Sequence, residues 1–422
     1  MHFEPSTEPK HIHKYLDLLV SIPGISYWRR RDRSFSDDLR DYPLISSYLE
    51  ERYPIELGMI YLLTRKAQRG RWPKPEHIIR EPKLYPLCAF SAAISMVYER
   101  SSEMVKRRIS GMLRDGLQNE LEPFAMEMGM AVHLMRQGFD VNFNDLELGG
   151  FDYLVRRDGL ELEVECKNAS ADVGRQIHRR RLYQLSGYIY EPMQRALQRG
   201  DGHLIRIVIP NRLDGNARTL DQIAALVETS LTYQRDTQGT VCGVQYTAFD
   251  ATQINSVPSE LTQIALRSLV ADKLNVHNQN ILMIAKPNAG AVIAVVQSQR
   301  PDNVAKGLYR QISQGVKQFT KNRPAVLCIR LADLTAEQLL DLGSPREQRG
   351  APSLLELIAT KLFAERSHAH VLKLAYTTPT NVTRQGDGIV ERRIISAQGP
   401  AYHFTNDDHP LAGDLRTQIF TR

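Results

Sequence analysis

Cysteines are scarce in this chain of 422 residues. There are four, and no two of them form a Cys-x-x-Cys pair: Cys88, Cys166, Cys242 and Cys328. This spacing excludes a zinc ribbon and a disulfide framework, and we expect no iron–sulfur cluster, which needs four suitably placed cysteine ligands. No segment has the eighteen or so apolar residues of a membrane helix, and the polar amino terminus contains no apolar signal region. We therefore expect a cytoplasmic protein without a membrane partner.

Two common catalytic motifs are also absent. The chain has no Gly-x-x-x-x-Gly-Lys-[Ser/Thr] loop and no His-Glu-x-x-His helix, so neither an ATP motor nor a zinc protease of that type is expected. Hydrophobic residues make up 42% of the chain, which is enough to bury hydrophobic cores. The length suggests about two or three domains. The formal net charge of +6 is compatible with a nucleic-acid partner.

The most informative stretch covers residues 151–168, which read FDYLVRRDGLELEVECKN. Asp158-Gly159 is a strong turn signal between two runs that alternate apolar and polar residues. A two-residue loop at this turn fixes the register of the hairpin, and counting outwards places Asp152 directly opposite Glu165. Facing residues share one side of a sheet, with Cβ atoms about 4.5–5.5 Å apart.

Two facing carboxylates destabilise a sheet unless something compensates their charge. A divalent cation between Asp152 and Glu165 would do so. Lys167 lies two residues beyond Glu165 and therefore points to the same face. The alternative interpretation is a solvated hairpin face with a local cross-strand pair between Arg156 and Glu161.

Asp152, followed across a tight hairpin by Glu165-Cys166-Lys167, resembles the PD-(D/E)xK nuclease superfamily with its restriction-endonuclease-like fold. The resemblance covers less than a quarter of the chain. It implies that the acidic pair binds Mg²⁺, for which Mn²⁺ can substitute, and that Lys167 positions or activates the attacking water. Mg²⁺ prefers oxygen ligands, and the main-chain carbonyl of Cys166 would suit it. Because most of the superfamily acts on DNA, DNA is expected before RNA.

The module is predicted to open near Glu120 with a helix that has Pro123 in its first turn and runs to about Gln137, and this region supplies a further carboxylate. Glu127 lies beside the apolar stripe of this helix, where a carboxylate must be paired, bound to metal or protonated. The resemblance implies that a glutamate of this helix completes the metal site. Glu127 is the candidate, and Glu120 and Glu122 are the alternatives. A Glu127 that simply reaches water at the edge of the stripe is the remaining interpretation.

A basic helix is predicted at about 173–198. Gln176, Arg180, Gln184 and Tyr188 recur every four residues and would share one face. The Gln184-x-x-x-Tyr188 spacing resembles the motif that follows the lysine in the RecB-like branch, where it helps to hold the nucleic-acid strand, although packing alone also explains such a pair. The candidate nucleic-acid-binding residues are Arg175, Arg179, Arg180, Gln184 and Tyr188.

Two basic runs near the amino terminus contain the two tryptophans. Arg29, Arg30 and Arg31 follow Trp28, and several basic residues surround Trp72. Arginines interleaved with aromatic residues can grip phosphates and stack on bases. A solvated helical face explains the same pattern equally well.

The order of predicted elements indicates an α/β protein with four successive parts. These are a helical amino-terminal domain (1–115), a nuclease-like α/β module (116–212) closed by a buried strand at 203–209, a connector of helices and a strand (213–279) and a carboxy-terminal α/β segment (280–422). The module is expected to be a restriction-endonuclease-like core, a mixed sheet flanked by helices. The last segment repeats the order hairpin, helix, strand. However, residues 295–299 carry no carboxylate where the first module has Glu165, so we expect no second active site.

The sequence therefore favours a Mg²⁺-dependent nuclease, acting in restriction, defence or repair. A homodimer would suit cleavage of both strands, although no feature demands one. The alternative is a non-catalytic nucleic-acid-binding or assembly protein that retains the nuclease fold. A protein-interaction scaffold is a third hypothesis.

Overall fold

The computed structural model describes residues 9–115, 121–143, 150–170, 172–251, 280–286, 290–332, 339, 342–344, 352–378 and 402–419. These residues form a mixed α/β protein with two mixed sheets flanked by helices. The chain divides into two compact units. The first unit combines 1–33, 51–173 and 305–422, and the second combines 34–50 and 174–304.

The amino-terminal part is helical, as the sequence predicts. Its helices are α1 (Ile12–Ser21), α2 (Ile25–Asp41), α3 (Ser46–Arg52), α4 (Pro54–Arg69), α5 (Pro75–Arg80), α6 (Tyr85–Arg100), α7 (Glu103–Asp115) and α8 (Leu121–Arg136). The periodicity did not predict α2, because its buried face is narrow and includes a charged residue. Only Tyr27, Trp28, Arg31 and Phe35 of this helix are buried.

The described residues after α8 form both strands and helices. The strands are β1 (Asp140–Phe143), β2 (Tyr153–Arg157), β3 (Leu160–Ala169), β4 (Gly202–Ile209), β5 (Thr237–Gln238), β6 (Gly243–Phe249), β7 (Ile281–Lys286), β8 (Gly290–Ser298), β9 (Ala325–Leu331), β10 (Val371–Thr377) and β11 (Tyr402–Thr405). The helices between them are α9 (Arg179–Gln198), α10 (Ala217–Tyr233), α11 (Val304–Val316) and α12 (Leu354–Phe363).

The first sheet has the order β1-β2-β3-β9-β10-β11. Its first three strands form an antiparallel meander, β3, β9 and β10 run parallel, and β11 is antiparallel to β10. Both faces are covered. Val164 and Cys166 pack with α8 and the amino-terminal helices, whereas Leu327 and Ile329 pack with α11 and α12. The hairpin strand β3 therefore lies in the centre of a core that is buried on both sides.

The position of β4 differs from the one that the sequence predicts. β4 does not close the sheet of the hairpin; it pairs with β6 and β8 in the second sheet, whose order is β5-β6-β4-β8-β7. The place beside β3 is taken by β9, from much later in the chain. Both strands are apolar on both faces, so either could be buried in a central position, and local pattern does not choose between them.

The elements expected between 280 and 376 are present, but they do not form one module. β7 and β8 belong to the second sheet, whereas β9 and β10 belong to the first. The repeated order hairpin, helix, strand is therefore not a second copy of the nuclease-like module. The helix expected at 258–274 lies outside the described residues.

The carboxy-terminal residues that are described also join the first unit. β11 extends the sheet, and the carbonyl of Ile419 lies 2.9 Å from Nε2 of His133 on α8. Arg157 at the tip of the hairpin donates to the carbonyl oxygens of Leu415 and Arg416. Among the described residues, no helix has the length and apolarity needed to span a membrane.

Candidate active site

The hairpin has the register that the sequence predicts. Asp158 and Gly159 both adopt positive φ angles, 49° and 77°, as a two-residue type I′ loop requires. The strands pair from Arg157 opposite Leu160 outwards to Tyr153 opposite Val164. Asp152 and Glu165 come one position beyond the last paired residues, and hydrogen bonds bring them together there.

Backbone hydrogen bonds hold the two carboxylates beside each other. The amide of Cys166 donates to Oδ2 of Asp152 at 2.6 Å, and the amide of Asp152 donates to Oε2 of Glu165 at 3.2 Å. The ammonium of Lys167 forms an ion pair with Oε1 of Glu165. Glu165 is fully buried and Asp152 is 8% exposed. Three residues of the predicted motif thus form one contiguous polar cluster.

β3 carries three glutamates on this face, and the first two have fixed partners. Glu161 accepts from Arg323 at 2.8 Å, and Glu163 accepts from the amide of Thr320 at 2.8 Å and also from its hydroxyl. Arg323 lies 3.5 Å from Glu163 as well. Glu165 differs from both because it lies next to another carboxylate and has no arginine among its hydrogen-bonding and ion-pair partners in the described residues.

The cross-strand pair of the alternative interpretation is also present. Nε of Arg156 donates to Oε1 of Glu161 at 2.7 Å. This pair lies at the exposed end of the hairpin and does not include Asp152 or Glu165. The two interpretations therefore describe different parts of the same face.

The electrostatics of Glu165 reflect this crowding. Burial, and then the charge of Asp152, raise the pKa of Glu165 to about 8, although Lys167 opposes the shift. A carboxyl group whose pKa is raised by burial and by a like charge is typical of functional sites. A bound cation would reverse the effect by favouring the ionised form.

Glu127 lies half-buried on α8, which packs against β3. Burial is the main cause that raises the pKa of Tyr153, and the charges of Asp152 and Glu127 add to it. Of the two alternatives to Glu127, Glu122 is paired at 2.6 Å with Arg330 of β9, and Glu120 lies outside the described residues. Glu122 thus already has an arginine partner, and the assignment of Glu127 to the site stays a prediction.

These residues fit a magnesium ion in number and kind. Within the described parts of the chain, no group of three or more acidic, histidine or cysteine side chains is arranged as a complete metal site. Mg²⁺ does not need one, because it keeps several waters and is usually held by one or two carboxylates together with substrate phosphates. Asp152 and Glu165 would supply the two carboxylates. The carbonyl of Cys166 as a ligand stays a prediction.

The candidate nucleic-acid-binding residues lie in the second unit, whereas the acidic cluster lies in the first. The helix expected from 173 begins at Arg179, so Arg175 and Gln176 precede it and Gln176 does not share its face. The amide of Gln176 instead donates to Oδ1 of Asp302 at 2.8 Å. Gly174 has a φ of 74°, outside the right-handed helical region, so the helix does not extend back to this residue.

The candidates on α9 differ in their surroundings. Arg180 is exposed, and Tyr188 is half-buried. The guanidinium of Arg179 lies 5.6 Å from the ring centre of Tyr48, and Gln184 accepts from Arg181 at 2.7 Å. Packing within the unit therefore accounts for part of the Gln-x-x-x-Tyr pattern.

The tryptophans of the amino-terminal basic runs are not available to stack on bases. Trp28 is 1% exposed in the core, and Trp72 is 8% exposed and donates to Asp17 at 2.8 Å. Arg29 and Arg30 are exposed on α2. The solvated helical face therefore describes Arg29 and Arg30, whereas Arg31 is buried beside Glu56.

Sequence reasoning missed the residues that surround the cluster from distant parts of the chain. Thr320 and Arg323 hold the neighbouring glutamates, and Arg330 holds Glu122. All three follow from the pairing of β9 with β3, which places Leu327 beside Glu165. No local pattern signals that pairing.

Comparisons with known proteins give no match. No protein-family model matches the chain, and neither a curated protein nor a solved structure shows significant similarity to it.

Proposed function

We propose that this chain is a Mg²⁺-dependent nuclease with a restriction-endonuclease-like core. The proposal rests on one observation above all, the pairing of Asp152 with Glu165 across the hairpin, with Lys167 in contact with Glu165. A mixed sheet with helices on both faces, and the motif on its central hairpin, are compatible with that fold. Mn²⁺ can substitute for Mg²⁺.

Each residue has a role in the proposed chemistry. Asp152 and Glu165 would hold the metal, with Glu127 as a further acidic ligand, direct or through water. When bound, Mg²⁺ would supply an activated water and stabilise the charge that develops on the phosphate. Lys167 would orient the nucleophile and donate to the developing negative charge.

The buried position of Glu165 has a further consequence. Its raised pKa means that this carboxyl group holds a proton at neutral pH far more often than an exposed glutamate does when no metal is bound. Binding of a cation would therefore release a proton, and metal affinity would increase as the pH rises towards 8.

The second unit would bind the nucleic acid. Arg175, Arg179 and Arg180, with Gln184 and Tyr188, are the proposed contacts, and DNA is the proposed substrate. Phosphate contacts made by arginines weaken as salt concentration rises, so binding should fall steeply between low and physiological salt.

A cleavage assay tests the proposal. The purified protein is incubated with linear, supercoiled and single-stranded DNA and with RNA, each in Mg²⁺, Mn²⁺ or EDTA. Lys167→Met keeps most of the side-chain volume and removes the charge. Lys106→Met is the matched control, because Lys106 forms an ion pair with Glu103 on the surface of α7. We expect metal-dependent cleavage that Lys167→Met abolishes and the control retains.

The alternative function is a non-catalytic nucleic-acid-binding protein. The observation that favours it is the ion pair between Lys167 and Glu165, which already gives the carboxylate one partner without a metal. DNA binding without cleavage in any metal would support this alternative.

A further inference from the structure

The carboxy-terminal end of α11 lies unusually close to the face of β3 that carries Lys167. A Cβ atom on Gly315 would lie 2.8 Å from Cδ1 of Leu327 and 3.2 Å from Cγ of Lys167. Gly315 is inside a helix, so it is needed for space and not for backbone conformation. A side chain here would press directly on the aliphatic stem of Lys167.

The chain beyond Gly315 contacts the site on both sides. Nε2 of Gln318 donates to the carbonyl of Gly150 at 3.3 Å, two residues before the aspartate of the site. The amide of Thr320 donates to Glu163 at 2.8 Å, two residues before the glutamate of the site. The segment that follows α11 is therefore anchored to β3 and to the residues that precede β2, so the end of α11 has little freedom to withdraw from Lys167.

We propose that Gly315 is a positioning residue for Lys167. A lysine has a flexible four-carbon stem, so its ammonium is well placed only when the stem is confined. The backbone of α11 at Gly315 forms one wall of that confinement, and the ammonium is thereby directed to Glu165. The consequence for catalysis rests on the proposed nuclease function, whereas the placement of the ammonium can be measured without it.

The test compares Gly315→Ala with Gly111→Ala. Gly111 is also inside a helix, α7, and a Cβ there would meet nothing within 4 Å. The double variant Gly315→Ala/Leu327→Val separates the contact with Leu327 from the contact with Lys167. Valine removes the Cδ atoms that the new Cβ would meet, whereas the contact with Cγ of Lys167 remains. Cleavage rate is measured for each variant, together with the NMR signal of the Lys167 ammonium in protein with ¹⁵N-labelled lysine. Lys167→Arg identifies that signal by its absence.

We expect Gly315→Ala to shift the Lys167 signal and to lower the cleavage rate roughly 10- to 100-fold, the usual effect of a small misplacement. Gly111→Ala should change neither, and Leu327→Val should not restore activity. If Gly315→Ala does not fold, the double variant carries both readouts. An unchanged Lys167 signal, or recovery through Leu327→Val, would overturn the inference. If the wild type cleaves nothing, the nuclease proposal fails, and the signal alone still decides the role of Gly315.

Discussion

Replacement of Glu165 by glutamine should stabilise the metal-free protein, and the gain should grow with pH. Glu165 is fully buried, and its pKa rises from an ordinary value of 4.5 to about 8 on folding. The folded state therefore binds a proton that the unfolded chain releases between these values. The contribution of this proton to the free energy of unfolding is fully present below pH 4.5. It is lost progressively as the pH rises to 8. Glutamine resembles the protonated acid and avoids this loss.

The size of the effect follows from the pKa. Each pKa unit corresponds to about 1.4 kcal/mol, so the gain for Glu165→Gln is about 3 kcal/mol at pH 7 and approaches 5 kcal/mol above pH 8, as upper limits. Below pH 5 the variant and the wild type should differ by less than about 1 kcal/mol. Glu165 thus lowers the stability of the metal-free fold at neutral pH, as is expected for a charged group that is buried at a functional site.

Denaturant unfolding in EDTA at pH 5, 7 and 8 measures these differences. Glu163→Gln is the control, because Glu163 is equally buried but accepts hydrogen bonds from Thr320. The free energy of unfolding of Glu163→Gln should fall by about 1–3 kcal/mol, because only one of the two terminal atoms of an amide side chain can accept a hydrogen bond. A gain for Glu165→Gln that does not widen between pH 5 and pH 8 would refute the reasoning.

Three further predictions concern metal binding and the buried charges. Because the metal competes with the proton on Glu165, Mg²⁺ should raise the melting temperature of the wild type more at pH 8 than at pH 6 in a thermal scan. Asp152→Asn should remove this shift. Arg31→Met should lose about 3–5 kcal/mol in denaturant unfolding, because it leaves the buried Glu56 without its 3.3 Å partner. Burial raises the pKa of Glu56 to about 7, so this loss should be larger at pH 8 than at pH 6; equal losses would contradict the pairing. Arg157→Ala should cost about 1–3 kcal/mol and speed proteolytic removal of the chain end, because it removes hydrogen bonds to the carbonyls of 415, 416 and 418.

The hairpin was predictable because its signals are local. Asp158-Gly159 selects the loop, and the period of two along each strand then fixes which residues face each other. The placement of Asp152 opposite Glu165 follows without any knowledge of the rest of the fold. The same local reasoning located most of the described helices and strands.

The surroundings of the site were not predictable, because they depend on which distant strand pairs with β3. β4 and β9 are both apolar runs, and only the folded chain shows that β9 takes the place beside Glu165. Gly315 likewise acquires its role from a helix that begins more than a hundred residues after the hairpin. α2 was missed because Arg31 interrupts its buried stripe.

Cleavage of DNA by the wild type and Asp152→Asn, in Mg²⁺ and in EDTA, tests the central claim most directly. Asparagine keeps the shape of the side chain and can still accept from the amide of Cys166, so the hairpin should remain folded. The account predicts cleavage by the wild type in Mg²⁺, none in EDTA, and none by the variant under either condition. Cleavage that persists in EDTA, or in Asp152→Asn with Mg²⁺, would contradict it.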